Sequence, residues 1–170
     1  MDLMLYTTLD SPIGELLLLG DDRALHGLYM QEGRKPVRIA ARWERSAQPF
    51  AQVRTQLQEY FAGERITFDV PLVMKGTPFE RRVWQALRDI PYGNTVSYGE
   101  IAHRVGQPSA ARAVGLANGR NPIAVIVPCH RVIGANGTLT GYGGGLERKR
   151  QLLELESGQT VLDRFGGCVL

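Results

Sequence analysis

The first part of the chain alternates short apolar runs with turn signals. Residues 3–8 and 15–20 are such runs, joined by Asp10-Ser11-Pro12-Ile13-Gly14, and Asp21-Asp22 turns the chain into a third at 24–30. Apolar runs of this length bounded by Gly, Pro and Asp predict a small antiparallel meander. Residues 31–48 are polar and Arg-rich and predict a loop with a short helix. From Pro49 the period lengthens: Phe50, Val53, Leu57, Tyr60 and Phe61 fall at helical spacing, stopped by Gly63. Residues 66–70 then predict another strand. No pattern here carries chemistry, so residues 1–75 read as a scaffold.

Near Met74-Lys75-Gly76 the pattern turns helical, which sets the expected boundary of a second domain, 76–158, followed by a tail, 159–170. Thr77-Pro78-Phe79-Glu80 is a capping box with proline at the first helical position. Phe79, Val83, Leu87 and Ile90 form the stripe behind it, and Pro91-Tyr92-Gly93-Asn94 ends the helix. A second box, Ser97-Tyr98-Gly99-Glu100, opens a short helix through Val105. Gly106-Gln107-Pro108 breaks that helix, and Ser109 stands where it could cap a third reaching about Asn118. Two short helices across a glycine turn match a helix-turn-helix, although such hairpins more often serve plain packing. The expected fold class is mixed α/β (α+β): a small antiparallel sheet plus helix, then a mainly helical domain carrying the helix-turn-helix.

The third helix is nearly bare. Ser109, Ala110, Ala111, Ala113, Gly115 and Ala117 leave Arg112 as its one long polar side chain. A major-groove reader carries several Asn, Gln, Arg or Lys side chains to base edges, and this helix has too few. A helix is about 10–12 Å across with its side chains, too wide for a minor groove of about 6 Å, but one stripped to alanine and glycine presses further in if the groove widens. An Ala-rich core helix is the equal alternative on composition alone.

Charge adds a little. Residues 1–76 hold nine Lys/Arg against ten Asp/Glu, whereas residues 77–170 hold eleven against seven. A basic second part suits a polyanionic partner. Composition is that of an ordinary globular protein, 44% hydrophobic and 22% charged. The leucines at 16–19 are too few to cross a bilayer, the first residues show no basic leader, and a soluble cytoplasmic protein is expected. Cys129 and Cys168 form no C-x-x-C pair and have only His26, His103 and His130 for company, so neither a zinc site nor any other cofactor is expected.

The chemistry gathers after Asn121-Pro122. The apolar run 123–127 predicts a buried extended segment delivering Pro128-Cys129-His130-Arg131-Val132-Ile133-Gly134 to the edge of a core. A Cys beside a His in sequence is weak evidence alone, because neighbouring side chains of an extended chain point apart. A thiolate needs a base or positive surroundings to lower its pKa, which His130 could supply through a water.

These motifs resemble the O6-alkylguanine-DNA alkyltransferases (methylated-DNA–protein-cysteine methyltransferases). The likeness runs through Thr77-Pro78-Phe79 with Val83-Trp84, Ile90-Pro91-Tyr92-Gly93 to Ser97-Tyr98-Gly99, Ala110-Ala111-Arg112-Ala113-Val114-Gly115, Asn121-Pro122, Val127-Pro128-Cys129-His130-Arg131-Val132, and Leu139-Thr140-Gly141-Tyr142-Gly143-Gly144-Gly145. It is dense over residues 76–158; residues 1–75 match only in general layout, a ribonuclease-H-like sheet and helix before a winged-helix-like domain.

The resemblance implies residue roles. Cys129 would accept the alkyl group, with His130 its base through water, Glu156 fixing the imidazole tautomer, and Asn121 bracing the connection to the helix-turn-helix. Tyr98 would donate to guanine N3 as the base departs. A buried thiol cannot reach a stacked base, so the nucleotide must be flipped out. Ala110, Ala111, Ala113 and Gly115 would lie on the minor groove of double-stranded DNA containing O6-alkylguanine, with Arg112 filling the emptied stack. Tyr142, Gly143 and Val132 would border the pocket. The thioether product would be permanent, so each molecule would act once, as a monomer; cooperative coating of DNA and action on O4-alkylthymine stay open. Two rivals are a lesion binder on the same scaffold, opposed by the presence of Cys129, and a Cys-His hydrolase, which would need no helix-turn-helix. Cys168 is expected to be a bystander.

Some relatives carry serine where this chain has Gly143, and three consecutive glycines predict a loose pocket wall. The expected outcome is comparable transfer rates from O6-methyl- and O6-benzylguanine in DNA, measured side by side; strong rejection of the benzyl group would contradict it.

Overall fold

The computed structural model describes residues 3–142 and 144–158. Its first part is a four-stranded sheet in the order β3-β2-β1-β4. Strands β1 (Leu5–Ser11), β2 (Gly14–Gly20) and β3 (Leu25–Met30) form the predicted antiparallel meander. The two-residue β4 (Glu44–Arg45) pairs parallel with β1. Leu16, Leu18, Leu28 and Met30 bury one face under helix α1 (Ala51–Phe61), which contributes Val53, Leu57 and Tyr60.

Two local expectations fail here. Residues 31–47 hold no helix, and only a three-residue 3-10 turn begins at Gln48; Gln31 instead closes a loop, its side-chain amide donating to the Val37 carbonyl (2.8 Å) while its oxygen accepts from the Val37 N–H (2.9 Å). Residues 66–70 are not a strand. Two glutamines of α1 occupy the backbone of Asp69: Gln56 Oε1 accepts from its N–H (2.9 Å), and Gln52 and Gln56 donate to its carbonyl. Side chains thus replace the ladder that would have made a strand.

The second part is helical. Helix α2 (Pro78–Arg88) starts at the Thr77–Glu80 capping box, with both reciprocal bonds formed at 2.9 and 3.1 Å, and buries Val83, Trp84 and Leu87. Gly93, at φ +83°, makes the turn beyond it. Strand β5 (Val96–Ser97) leads into α3 (Tyr98–Arg104), capped by Ser97 Oγ on the Glu100 N–H. Helix α4 (Ala111–Gly119) follows. Its N-cap is Ala110 with no side-chain bond, not Ser109, because a turn closed by the Ala110 N–H on the Gln107 carbonyl (2.9 Å) holds Ser109 inside it. Trp84 Nε1 donates to the Ala117 carbonyl (2.8 Å) and locks α4 against α2. Strand β6 (Val132–Ile133) pairs parallel with β5, and α5 (Leu146–Glu156) closes the described chain.

The 123–127 run is not extended. It folds into a turn closed by the Val127 N–H on the Ile123 carbonyl (3.0 Å), with buried Val125 at φ +69°. A β-branched residue there is strained and persists only when its surroundings over-determine it. Strand β3 is part of those surroundings: Leu28 donates to Pro122 (2.9 Å) and accepts from Ala124 (3.1 Å), while Leu25 pairs likewise with Pro71 and Val73. The outer edge of β3 is therefore covered by residues 71–73 of the first part and 122–124 of the second, and both parts share one core.

Thr77→Ala removes the α2 cap. The expected loss is about 1 kcal/mol, or a thermal midpoint about 2–4 °C lower for a chain this long, read by calorimetry.

Candidate active site

Cys129 opens a single 3-10 turn, Cys129–Arg131, whose three residues are all buried. Two asparagines tie this turn to α4. Asn121 donates Nδ2 to the Val127 carbonyl (2.8 Å) and accepts the Ile123 N–H on Oδ1 (3.0 Å), fixing the turn that precedes Cys129. Buried Asn118 donates to the Cys129 carbonyl (3.3 Å).

His130 is 0% exposed, and its Nε2 lies 2.7 Å from Glu156 Oε2 at the end of α5. The same carboxylate takes the Arg131 guanidinium, Nε on Oε1 (2.7 Å) and Nη2 on Oε2 (3.0 Å), and the Tyr60 hydroxyl on Oε2 (2.5 Å). Arg131 Nη1 donates to the Ile90 carbonyl (2.6 Å), and its guanidinium lies 5.8 Å from the Tyr92 ring.

These contacts set the proton positions. Burial would raise the Glu156 pKa, but the donors from His130 and Arg131 win and hold it down to about 2. Burial pushes His130 the other way from a cation; with Arg131 and Lys149 adding to it, the imidazole sits below its ordinary value despite Glu156. A neutral imidazole facing a carboxylate must donate from Nε2, which leaves the Nδ1 lone pair as its acceptor. That Nδ1 is buried and has no hydrogen-bond partner among the described residues. His130 is therefore an uncharged base with one free face.

Burial also pushes the Cys129 thiol upward, against the pull of Asn121, Tyr142 and Lys149. At rest the sulfur keeps its proton. Lys149 is fully buried, donating Nζ to the Thr140 carbonyl (3.2 Å) and standing 6.0 Å from the centre of the Tyr142 ring. The Tyr142 hydroxyl meets no partner at good hydrogen-bond geometry among the described residues, and burial, with the Cys129 thiol beside it, pushes its pKa well up, so it too stays protonated. Cys129 borders a cavity of about 250 Å³, with Asn118, Asn121 and Tyr142 on one side and Tyr29 and Lys35 on the other.

The remaining expected residues fall in three places. Arg112 and Ala113 are exposed on α4, with Ala110, Ala111 and Gly115 half-buried beside them, so the bare helix shows its small residues to solvent. Tyr98 begins α3, and its hydroxyl accepts from Thr140 Oγ1 (2.8 Å). Val132 lies in β6 with its side chain fully buried, which leaves its backbone carbonyl as the group it could offer the pocket. Gly143, Cys168 and the 159–170 tail lie outside the described residues.

Sequence reasoning missed Tyr60, Arg131, Lys149 and Asn118. The first part, read as a scaffold, reaches the site through one side chain: Tyr60 meets Glu156 across 96 residues of chain. Tyr60 sits at an ordinary core position of an amphipathic helix, and nothing local marks it. Arg131, next to His130, was the one recoverable from its motif.

A carboxylate held below its ordinary 4.5 stabilises the fold fully above that value and loses the contribution as pH falls toward 2. Glu156→Gln should flatten this acid dependence in urea titrations across that range. It should also lower stability at neutral pH by about 3–5 kcal/mol, because Arg131 is left buried without its counter-charge.

The model of the 6-O-methylguanine DNA methyltransferase ribonuclease-like domain matches residues 4–74, and that of the DNA binding domain of the same family matches residues 78–158. A methylated-DNA–protein-cysteine methyltransferase of Methanosarcina acetivorans is 53% identical over 153 residues, covering 90% of this chain and 98% of the relative. One from Mycobacterium tuberculosis is 57% identical over 159 residues, covering 93% and 95%. The crystal structure of Mycobacterium tuberculosis OGT in complex with DNA superposes with a TM-score of 0.85 at 57% identity, covering 91% of this chain and 93% of that one. Likeness of this extent in both parts places the chain in the methylated-DNA–protein-cysteine methyltransferase family.

Proposed function

We propose that this protein repairs alkylated double-stranded DNA directly, moving the O6-alkyl group of an everted guanine onto the sulfur of Cys129, once per molecule. The observation that carries the reading is a buried His130 whose Nδ1 has no partner among the described residues, next to Cys129 in the same turn and beside a helix stripped of side chains. In this reading residues 76–158 bind DNA and carry the acceptor, residues 1–75 brace them, and a single chain suffices.

The Cys129 thiol passes its proton through one water to His130 Nδ1, and Glu156 stabilises the resulting imidazolium. The sulfur attacks the alkyl carbon; the S–C bond forms as the C–O6 bond breaks, and its electron pair leaves with the guanine. Tyr98 donates toward N3 as charge develops on the base. Lys149 offsets the negative charge on sulfur during attack. Arg112 enters the stack in place of the everted nucleotide, and Ala113 and Gly115 let the helix approach the groove. Unstacking takes a few kcal/mol, less at a mispaired damaged base, so the lesion itself contributes selectivity.

The test is an intact mass after mixing reduced protein with a duplex carrying O6-methylguanine. One methyl, mapped to Cys129 and absent from Cys129→Ala, is the expected result; lesion binding without a mass change would replace this reading with a sensor. Arg112→Ala should slow reaction with duplex DNA about tenfold or more, about 1.4 kcal/mol, while reaction with free O6-benzylguanine stays unchanged.

A further inference from the structure

We propose that Tyr60 is a positioning residue for alkyl transfer: its hydroxyl, bonded to Glu156 Oε2, sets how strongly that carboxylate draws on His130. The inference rests on Cys129 being the alkyl acceptor and assigns to the first part of the chain a share in the chemistry.

The geometry is specific. Tyr60 is fully buried on α1, its ring wedged between Phe61 (5.2 Å between centroids), Phe68 (5.4 Å) and Tyr92 (6.2 Å). This packing leaves the hydroxyl aimed at one atom, Glu156 Oε2, at 2.5 Å. The same oxygen takes His130 Nε2 at 2.7 Å and Arg131 Nη2 at 3.0 Å. Two oxygens of a carboxylate offer about four lone-pair sites, so three donors on Oε2 compete for the density of one atom. Burial and then the Glu156 charge push Tyr60 far above the ordinary phenol range. It is therefore a fixed donor and never takes the imidazole's proton.

A consequence follows for the base. Each donor on Oε2 makes the carboxylate a weaker acceptor toward His130 Nε2–H. A weaker acceptor keeps the imidazole neutral down to lower pH and leaves the transferred proton on the ring rather than on Glu156. The titratable groups around His130 are Glu156 and Lys149 of α5, Cys129 and Arg131 of its own turn, Tyr92 beyond α2, Tyr142 before α5, and Tyr60. Within this set Tyr60 alone comes from the first part. Arg131 does similar electrostatic work, but as a buried cation its removal would unbalance the fold, whereas the Tyr60 hydroxyl can be removed without changing charge or ring packing.

The experiment uses the full-length protein with free O6-benzylguanine and follows benzylation of Cys129 by mass under single-turnover conditions across pH. Wild type gives an acid limb, where His130 loses its proton, and then a plateau. In Tyr60→Phe the carboxylate becomes more basic and the imidazole holds its proton longer. The limb is expected to move up by roughly half a pH unit, with a lower plateau. A ring-fluorinated tyrosine incorporated at position 60 is a stronger donor and should move the limb down. Leu57→Ala, fully buried on the same helix, should lower the thermal midpoint without moving the limb. An unmoved limb in Tyr60→Phe, or an equal movement in Leu57→Ala, overturns the inference. If Tyr60→Phe does not fold, the fluorinated protein decides alone, and an unmoved limb there overturns it. A wild-type protein that gains neither a benzyl group nor, from a duplex carrying O6-methylguanine, a methyl group overturns the alkyl-transfer reading itself, a result distinct from either.

Discussion

The carboxylate of Glu156 is 4% exposed and carries its charge in a place where an uncompensated anion would be prohibitive. Taking such an ion out of water is penalised by several kcal/mol even after relaxation. It remains there because its oxygens receive donors from three sources: the guanidinium of Arg131, the imidazole of His130 and the phenol of Tyr60. These groups come from the turn after Cys129 and from α1, while the carboxylate itself ends α5. No one of these elements is finished without the others, so completing the fold and completing the site are one event. The shared core, which gathers buried residues of α1 and β3 together with those of α2 and α5, has the same character.

That arrangement explains a site that is quiet at rest. Desolvation keeps the Cys129 thiol protonated and the His130 ring neutral, so Cys129 offers no exposed thiolate to adventitious electrophiles or oxidants. In the proposed mechanism the charges appear only during transfer, between Lys149 on the sulfur side and Glu156 on the histidine side. A protein consumed by its own reaction benefits from this, since every stray modification of Cys129 would remove a molecule from use.

Cys129, the proposed nucleophile, is also tied to α4, the helix proposed to face DNA. Asn118 and Asn121 flank the end of α4, bonding the Cys129 and Val127 carbonyls, and Trp84 anchors the middle of that helix. Gly144, one of the glycines of the pocket loop, is placed where any side chain would drive into the Met30 sulfur and the Tyr142 ring. At Gly144 the chain therefore passes tightly over Met30 of β3. Strain at Val125 is held in the same place, by backbone bonds from the edge of β3, so the sheet of the first part stabilises the approach to the cysteine.

Much of this was legible in the residues themselves. The meander, the capped α2, the bare α4 and the motif around Cys129 are local patterns, because turn chemistry, capping and side-chain size act over a few residues. Three of the failed expectations share a cause. Residues 66–70, Ser109 and residues 123–127 each met a partner chosen by the tertiary fold: glutamines of α1, a turn closed on Gln107, and the edge of β3. The site divides along the same line. Cys129, His130 and Asn121 announce themselves within one short stretch, whereas the Tyr60–Glu156 bond spans most of the chain and Lys149 is distinguished only by being buried. Sequence fixes which groups are available and how neighbouring ones are arranged; desolvation and long-range hydrogen bonding, which decide their protonation and hence their chemistry, exist only once distant segments have packed together.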